Sequence, residues 1–239
     1  MMIGLSACSG SPRLPKRSEA PMTMLWAWER PEDLRFIDPA TTGVAFLAQT
    51  LTLENDEVRF APRRQPLEVP DGTYLIAVTR IESIRRTESS PVYSPRQLER
   101  LTSLIADTLN RPHVRGIQTD FDAVVTERPF YRKLVAELRS RLPANTPLTI
   151  TALASWCIGD KWLNGMDVDE AVPMAFVMGA DTERVRSYLK SGKDWTEPIC
   201  RESYGVSVDE PPIEGRKAGR RIYYFKNTPW KRDDPIGNT

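Results

Sequence analysis

The feature that most constrains the fold is a series of short runs that are apolar on both faces. Met22–Glu29 (MTMLWAWE) and Gly43–Thr50 (GVAFLAQT) show this pattern most clearly. A strand that is apolar on both faces is typical of a parallel sheet covered on both sides. Six further candidate strands follow along the chain: Tyr74–Glu82, Val114–Asp122, Pro147–Cys157, Glu170–Val177, Ser203–Val208 and Arg221–Phe225. This succession predicts a parallel α/β architecture.

Amphipathic helices are predicted between several of these strands. Ser94 is a suitable N-cap, Pro95 fits the first turn, and Gln97 completes a capping box ahead of apolar residues at helical spacing. Two further helices are expected over Pro129–Leu142 and near Asp181–Lys190. The helices therefore serve as the crossovers that parallel strands require.

Eight candidate strands favour one (β/α)8-type TIM barrel, and an open parallel α/β sheet is the alternative. The barrel should be lean, because the segment that carries Pro62, Pro66 and Pro70 has no helical pattern and should be extended or irregular. A chain of 239 residues is an ordinary length for one such barrel. We assign residues 1–21 to a truncated signal and tether, assign residues 22–239 to the barrel domain, and expect a monomer.

Composition excludes several classes of function. Lysine and arginine total 33 against 32 acidic residues, so no basic excess indicates a nucleic-acid partner. The single histidine, His113, excludes a Ser-His-Asp triad and a site with several histidine ligands. The three cysteines form no C-x-x-C pair, and no glycine-rich phosphate-binding motif is present. No apolar run could span a membrane, and we expect neither a cofactor nor a metal.

Two carboxylates end the strand predicted over Val114–Asp122 (VRGIQTDFD). Side chains alternate along a strand, so Gln118, Asp120 and Asp122 share one face. Unpaired charges are costly to bury, and in α/β barrels the C-terminal strand ends form the active site. We therefore predict the chemical centre at Asp120 and Asp122, with Gln118 among the ligand-binding residues and His113 at the opposite end of the strand.

Arg80 and Glu82 end the preceding strand in a similar way. Arg80 should lie level with Asp120, where its charge would keep Asp120 ionised and leave Asp122 as the proton donor. Arg80 and Glu82 are therefore candidate substrate-binding residues. The alternative interpretation is a charge network that only closes the top of the barrel.

Aromatic residues near the strand ends are candidates for stacking on the apolar face of a sugar ring. Trp26 and Trp28 share a face of the first strand, and Trp156 lies near the end of the fifth. For Trp26 the filling of the barrel interior is the better interpretation. Glu29 ends the first strand, where it would contact a ligand or form a salt bridge at the rim.

The N-terminal residues Leu5-Ser-Ala-Cys8 resemble a bacterial lipobox, in which the cysteine is lipidated. The stretch from Ser9 to Pro21 has the composition of a flexible tether. A functional signal would need an upstream start codon, and a chance match is the alternative. Lipidation of Cys8 would place the domain on the periplasmic side of a membrane, held only by its lipid anchor. Cys157 and Cys200 would then form a disulfide or remain free in the core.

Several segments together resemble a bacterial domain-of-unknown-function family with a glycosidase-like barrel: LWAWERPEDL, GVAFLAQTL, QTDFDA, ITALASWC and DEAVPMAFVMG. This resemblance implies a barrel and no established activity. A more distant resemblance is to chitinase-like family 18 glycoside hydrolases, whose fourth strand carries D-G-x-D-x-D-x-E. Gly116 and Asp120 match that motif, Asp122 stands in place of the proton-donating glutamate, and Arg115 and Gln118 replace acids.

The sixth strand of that family carries M-x-Y-D, of which Met174-Ala-Phe-Val177 keeps only the methionine. The residues and the resemblance together predict an envelope-anchored, glycoside hydrolase-like protein that acts on a poly- or oligosaccharide, with Asp120 and Asp122 at its site. The alternative is a catalytically inactive barrel that binds a glycan or a protein partner.

Overall fold

The computed structural model describes residues 19–237, so Cys8 and the predicted lipobox lie outside the described residues. The strands in chain order are β1 (Thr23–Ala27), β2 (Glu32–Asp33), β3 (Thr42–Glu54), β4 (Glu57–Pro62), β5 (Leu67–Glu68), β6 (Leu75–Ser83), β7 (Val114–Asp120), β8 (Leu148–Leu153), β9 (Glu170–Met174), β10 (Ser203–Ser207) and β11 (Arg221–Phe225). The helices are α1 (Pro95–Ala106), α2 (Arg128–Arg141) and α3 (Thr182–Lys190).

The sheet closes into a barrel. Its parallel strands follow the order β1, β11, β10, β9, β8, β7, β6 and β3, and β1 also pairs in parallel with β3. Within residues 19–237 this gives eight barrel strands and only three α-helices, which follow β6, β7 and β9. The predicted lean (β/α)8 barrel is therefore confirmed, and the open-sheet alternative is wrong.

The proline-rich segment between β3 and β6 is extended, as predicted. β3 continues beyond the barrel and pairs with β4 in an antiparallel hairpin. The two-residue strands β2 and β5 form a small separate pair. Extended chain therefore replaces a helix in this crossover, since proline supplies no N–H for helical hydrogen bonding.

The first helix begins as predicted at Ser94, whose Oγ accepts a hydrogen bond of 3.1 Å from the backbone N–H of Gln97. The predicted capping box is wrong. The Gln97 side chain is fully buried, and its Nε2 donates to the carbonyl oxygens of Asn55 and Glu57, both at 3.0 Å. Gln97 therefore ties α1 to the turn of the β3–β4 hairpin instead of capping the helix.

Large side chains fill the barrel interior opposite glycines. A Cβ atom at Gly205 on β10 would lie 2.8 Å from Cη2 of Trp26, and one at Gly43 would lie 2.6 Å from Sδ of Met24. The rigid ring of Trp26 therefore requires glycine at position 205, and the flexible side chain of Met24 packs closely over Gly43. Trp26 therefore fills the barrel, as its preferred interpretation predicted.

An ion pair closes the N-terminal end of the barrel. Nη1 of Arg221 lies 2.5 Å from Oε2 of Glu170, and both side chains are almost fully buried. Arg221 also donates to the carbonyl oxygens of Ala20 and Pro21, which places the segment before β1 across this end. Burial raises the pKa of Glu170, and the charge of Arg221 opposes that shift.

A second core lies outside the barrel, between the strands and the surrounding segments. A disulfide within it joins Cys157 to Cys200, with the two Cα atoms 6.0 Å apart. The bond connects the turn Ala154–Cys157 after β8 to the turn Pro198–Cys200 before β10. Of the two alternatives for these cysteines, the structure has the bonded one.

No helix within residues 19–237 is long and apolar enough to cross a membrane.

Candidate active site

A cleft of about 400 Å³ opens at the C-terminal ends of the barrel strands. Carboxylates line one part of it and aromatic rings another. The lining residues are Trp26, Trp28, Arg80, Asp120, Asp122, Thr151, Leu153, Ala154, Ser155, Met174, Phe176, Val177, Met178, Asp181, Phe225 and Asn227. The cleft therefore brings together Asp120, Asp122, Arg80 and Trp28 from the sequence prediction. His113 precedes β7 and so lies at the other end of that strand.

Asp120 is the last residue of β7 and is partly buried in the cleft floor. Its Oδ1 accepts a hydrogen bond of 2.6 Å from the hydroxyl of Thr151 on the neighbouring strand β8. Burial raises the pKa of Asp120 to about 6, and the charge of Asp122 adds to that shift. The hydrogen bond from Thr151 opposes the shift without cancelling it. Asp120 therefore changes its charge close to neutral pH.

Asp122 lies beyond the end of β7, not within the strand as predicted. It is exposed to the cleft, and among the described residues no side chain donates a hydrogen bond to its carboxylate. The surrounding cleft walls remove part of its hydration, which raises its pKa, and the charges of Arg80 and Arg85 oppose that rise. Its carboxylate is therefore available to a bound ligand.

Arg80 is the direct partner of Asp120 in the parallel register of β6 and β7, as predicted. Its Nε nevertheless lies 3.0 Å from Oε1 of Glu82, so its nearest carboxylate is on its own strand. The pKa of Asp120 rises instead of falling, because burial outweighs the attraction of Arg80. The charge of Arg80 does act to lower the pKa of Asp120, but it is too weak to hold Asp120 ionised as predicted.

Aromatic rings from three strand ends form a wall of the cleft. Phe176 after β9 and Phe225 on β11 are stacked, with ring centroids 5.0 Å apart and planes inclined by 11°. Trp28 after β1 meets Phe225 edge to face at 6.2 Å. The sequence prediction missed Phe176 and Phe225. Both rings continue the inward face of their strands, two residues after Met174 and Tyr223, and this spacing is the signal that could have identified them.

Gln118, a predicted binding residue, lies inside the barrel beside Trp26, whose preferred interpretation was filling of the interior. Gln118 is fully buried; its Oε1 accepts a hydrogen bond of 2.8 Å from Nε1 of Trp26, and its Nε2 donates to Oγ1 of Thr149 at 3.1 Å. Trp26 reaches the cleft wall but is only 2% exposed. Gln118 therefore supports Trp26 and, contrary to prediction, does not reach a ligand in the cleft.

Three further predicted residues lie outside the cleft lining. Trp156 is 4% exposed and packs edge to face against Trp162 at 4.8 Å. The turn after β8 directs it into the outer core, because the strand ends at Leu153 and not at Cys157 as predicted. Its ring therefore has no face toward the cleft. Neither Glu29, which is exposed, nor Glu82 lines the cleft, although Glu82 pairs with Arg80, which does.

The raised pKa of Asp120 predicts a gain in stability on replacement by asparagine. Its folded-state pKa of about 6 lies above its ordinary value of 3.8, so ionisation of Asp120 destabilises the folded state as pH rises through this range. Asp120→Asn should raise the free energy of unfolding by about 1–2 kcal/mol at pH 8. The gain should disappear near pH 4.

Urea unfolding at both pH values measures this difference. The matched control is Asp71→Asn, which changes an exposed aspartate far from the cleft. A pH-independent effect of Asp120→Asn, or an equal effect of the control, would contradict the burial of an ionised carboxylate at Asp120.

Within residues 19–237, no group of three or more His, Cys, Asp or Glu side chains could hold a metal ion.

No protein-family model and no curated protein matches the sequence. Among solved structures, the spore cortex-lytic enzyme SleL of Bacillus cereus is similar with a TM-score of 0.50 and 16% identity. That alignment covers 78% of this chain and 51% of the SleL chain, so the chain spans about half of that enzyme's length.

The chitinase domain of the spore coat protein CotE from Clostridium difficile is also similar, with a TM-score of 0.42 and 9% identity over 93% of this chain and 68% of that domain. The barrel implied by the sequence resemblance is confirmed by the closed strand order and by the similarity to SleL. At these identities the similarity establishes the fold alone, and the chemistry of the site has to be argued from its own residues.

Proposed function

We propose that this protein is a glycoside hydrolase that acts on a poly- or oligosaccharide, with Asp120 and Asp122 as its catalytic pair. The observation that carries the proposal is the pairing of two carboxylates of raised pKa with an aromatic wall in one open cleft. Cleavage of a glycosidic bond requires a carboxylic acid that protonates the leaving oxygen and a second carboxylate that assists. The rings of Trp28 and Phe225 would contact the apolar face of a sugar.

Asp122 is the proposed proton donor because it is exposed and its carboxylate receives no hydrogen bond from the described residues. A bound saccharide would displace water from Asp122, which favours its protonated form. Asp120 lies beneath it, with the Thr151 hydroxyl fixing its orientation, and above pH about 6 it would carry a negative charge near the sugar ring. Two interacting carboxyl groups titrate as a pair, so the proton moves between them as their surroundings change.

The direct test is a search for cleavage among cell-wall, exopolysaccharide and chitin-like glycans, with reducing ends and product masses as readouts. We expect at least one glycan class to yield shorter products. Binding without cleavage, measured by calorimetry on the same panel, would favour the alternative of an inactive glycan-binding barrel. An absence of both binding and cleavage would contradict a role in glycan chemistry.

We further propose that the barrel is exported and held on the periplasmic side of a membrane through lipidated Cys8. The lipobox-like residues before Cys8 and the disulfide between Cys157 and Cys200 support this location, since disulfides persist in oxidising compartments.

A form extended upstream of Met1 should incorporate labelled palmitate and fractionate with membranes, whereas Cys8→Ser in the same form should do neither. Equal labelling of the two forms would exclude Cys8 as the site of attachment.

A further inference from the structure

A buried carboxylate lies behind the loop that carries Asp122. The Glu127 side chain is only 2% exposed. Its Oε1 accepts hydrogen bonds from Nε of Arg85 at 3.1 Å and from the hydroxyl of Tyr93 at 2.8 Å. Its Oε2 accepts from Nη2 of Arg85 at 2.8 Å and from the backbone N–H of Val124 at 2.9 Å. Four donors therefore satisfy this one carboxylate.

These hydrogen bonds join two loops at the C-terminal end of the barrel. Arg85 and Tyr93 lie between β6 and α1, whereas Val124 and Glu127 lie between β7 and α2. Nη2 of Arg85 also donates to the carbonyl oxygen of Asp122 at 3.0 Å. A single guanidinium group therefore connects Glu127 to the backbone of Asp122.

Stabilisation of α2 does not account for this arrangement. Glu127 occupies the N-cap position, but its side chain makes no capping hydrogen bond to the helix. Burial would raise the pKa of Glu127, yet the donors outweigh burial and lower it, so the group stays ionised. Tyr93 also has a φ of 52°, an unfavourable value for a bulky residue, while its hydroxyl contacts Glu127.

We infer that Arg85, Tyr93 and Glu127 form a clamp that positions Asp122 in the cleft, with Arg85 supplying a positive charge beside it. The three are positioning residues, because they act on the proposed catalytic pair through the loop and not by contact with a ligand. The catalytic meaning of the clamp rests on the proposed function. The effect of the clamp on the position and charge of Asp122 is independent of that function.

The charged groups around Asp122 give this clamp a specific signature. Asp120 faces it from β7, Arg80 from β6, and Arg85 from the clamp, while Glu82 pairs with Arg80. The charge of Arg85 lowers the pKa of Asp122 but is not among the causes of the shift at Asp120. Loss of Arg85 should therefore affect the two carboxylates unequally.

The test is a titration of the two carboxyl carbons by NMR in protein labelled with ¹³C at aspartate. Arg85→Gln should raise the midpoint of Asp122 by about half a pH unit or more, since an opposite charge at close range stabilises a carboxylate. The midpoint of Asp120 should move less. Arg86→Gln removes an adjacent, exposed arginine whose side chain is outside the clamp, and should move neither midpoint.

Two conservative variants separate charge from position. Arg85→Lys keeps the charge, so its Asp122 midpoint should lie much closer to the wild-type value than that of Arg85→Gln. Tyr93→Phe removes one donor to Glu127 without a change in charge, and should move the Asp122 midpoint in the same direction as Arg85→Gln by a smaller amount. On any glycan that the wild type cleaves, Tyr93→Phe should lower kcat about 10-fold with little change in KM, because a misplaced catalytic group slows chemistry more than binding.

An unchanged Asp122 midpoint in folded Arg85→Gln, or equal shifts of both carboxylates, overturns the clamp. If Arg85→Gln does not fold, an unchanged midpoint in Tyr93→Phe overturns it instead. Failure to find a cleaved glycan would count against the proposed function alone, because the titrations require no substrate.

Discussion

Asp122→Asn is expected to leave the barrel folded and to lower the turnover of a cleaved glycan by about 100-fold or more, the scale of general acid catalysis. Asparagine has nearly the same shape as aspartate but holds no proton that it can donate to a leaving oxygen. Asp122 is exposed and contributes no side-chain hydrogen bond to the described part of the fold. Glycan binding should therefore stay close to that of the wild type. Steady-state rates and calorimetric affinities measure the two effects separately.

A companion substitution, Asp120→Asn, should also slow turnover and should move the acidic limb of the pH–rate profile, because it removes the neighbouring charge. Asp71→Asn again serves as the control for the chemical change, since Asp71 is exposed and lies outside the cleft lining. Full turnover by Asp122→Asn would exclude Asp122 as the proton donor, and the role would then pass to Asp120.

Arg221→Met is expected to cause the largest loss of stability, about 3–5 kcal/mol in the free energy of unfolding. The substitution leaves Glu170 buried without its counter-charge at the closed end of the barrel. Glu170 would then bind a proton at a higher pH than in the wild type. The loss should be greatest near pH 8, and it should shrink toward pH 5 as Glu170 becomes neutral in the variant.

Lys190→Met provides the matched control. Lys190 pairs with Glu214 at 3.2 Å, but both side chains are about two-thirds exposed. Removal of such a surface pair should cost less than about 1 kcal/mol. Urea unfolding of the two variants at pH 8 and pH 5 makes the comparison. If the two variants lost equal amounts of unfolding free energy, burial would not be the reason why the Arg221–Glu170 pair stabilises the fold.

The architecture was predictable because it depends on periodic patterns along the chain. Apolar or alternating runs identified every barrel strand, and the N-cap at Ser94 located the start of α1. Closure was predicted only from the number of strands, because it depends on β1 pairing with both β3 and β11, which no local pattern displays. The ends of strands were also less certain: β7 and β8 stop earlier than their apolar or alternating patterns suggested.

The site prediction succeeded for positions that backbone register determines. It failed for properties that depend on the direction of a side chain or on its desolvation. Arg80 and Asp120 were correctly predicted to be neighbours across β6 and β7, because the strand register alone determines that pairing. The sign of the pKa shift at Asp120 depends on burial within the closed barrel, which a sequence does not display. Trp156 was misplaced because a single turn after β8 reverses the direction of its ring. Glu127 was missed because Arg85 and Tyr93, which donate three of its four hydrogen bonds, lie in another loop.

The closure of the barrel at its N-terminal end also determines when this chain can finish folding. Arg221 donates to the carbonyl oxygen of Pro21 across 200 positions of sequence, and β11 supplies the neighbour that β1 lacks on one side. Until residues 221–225 have left the ribosome, β1 and β10 each present an unpaired strand edge, which is open to proteases and to aggregation. The barrel therefore cannot close before its last strand has been synthesised.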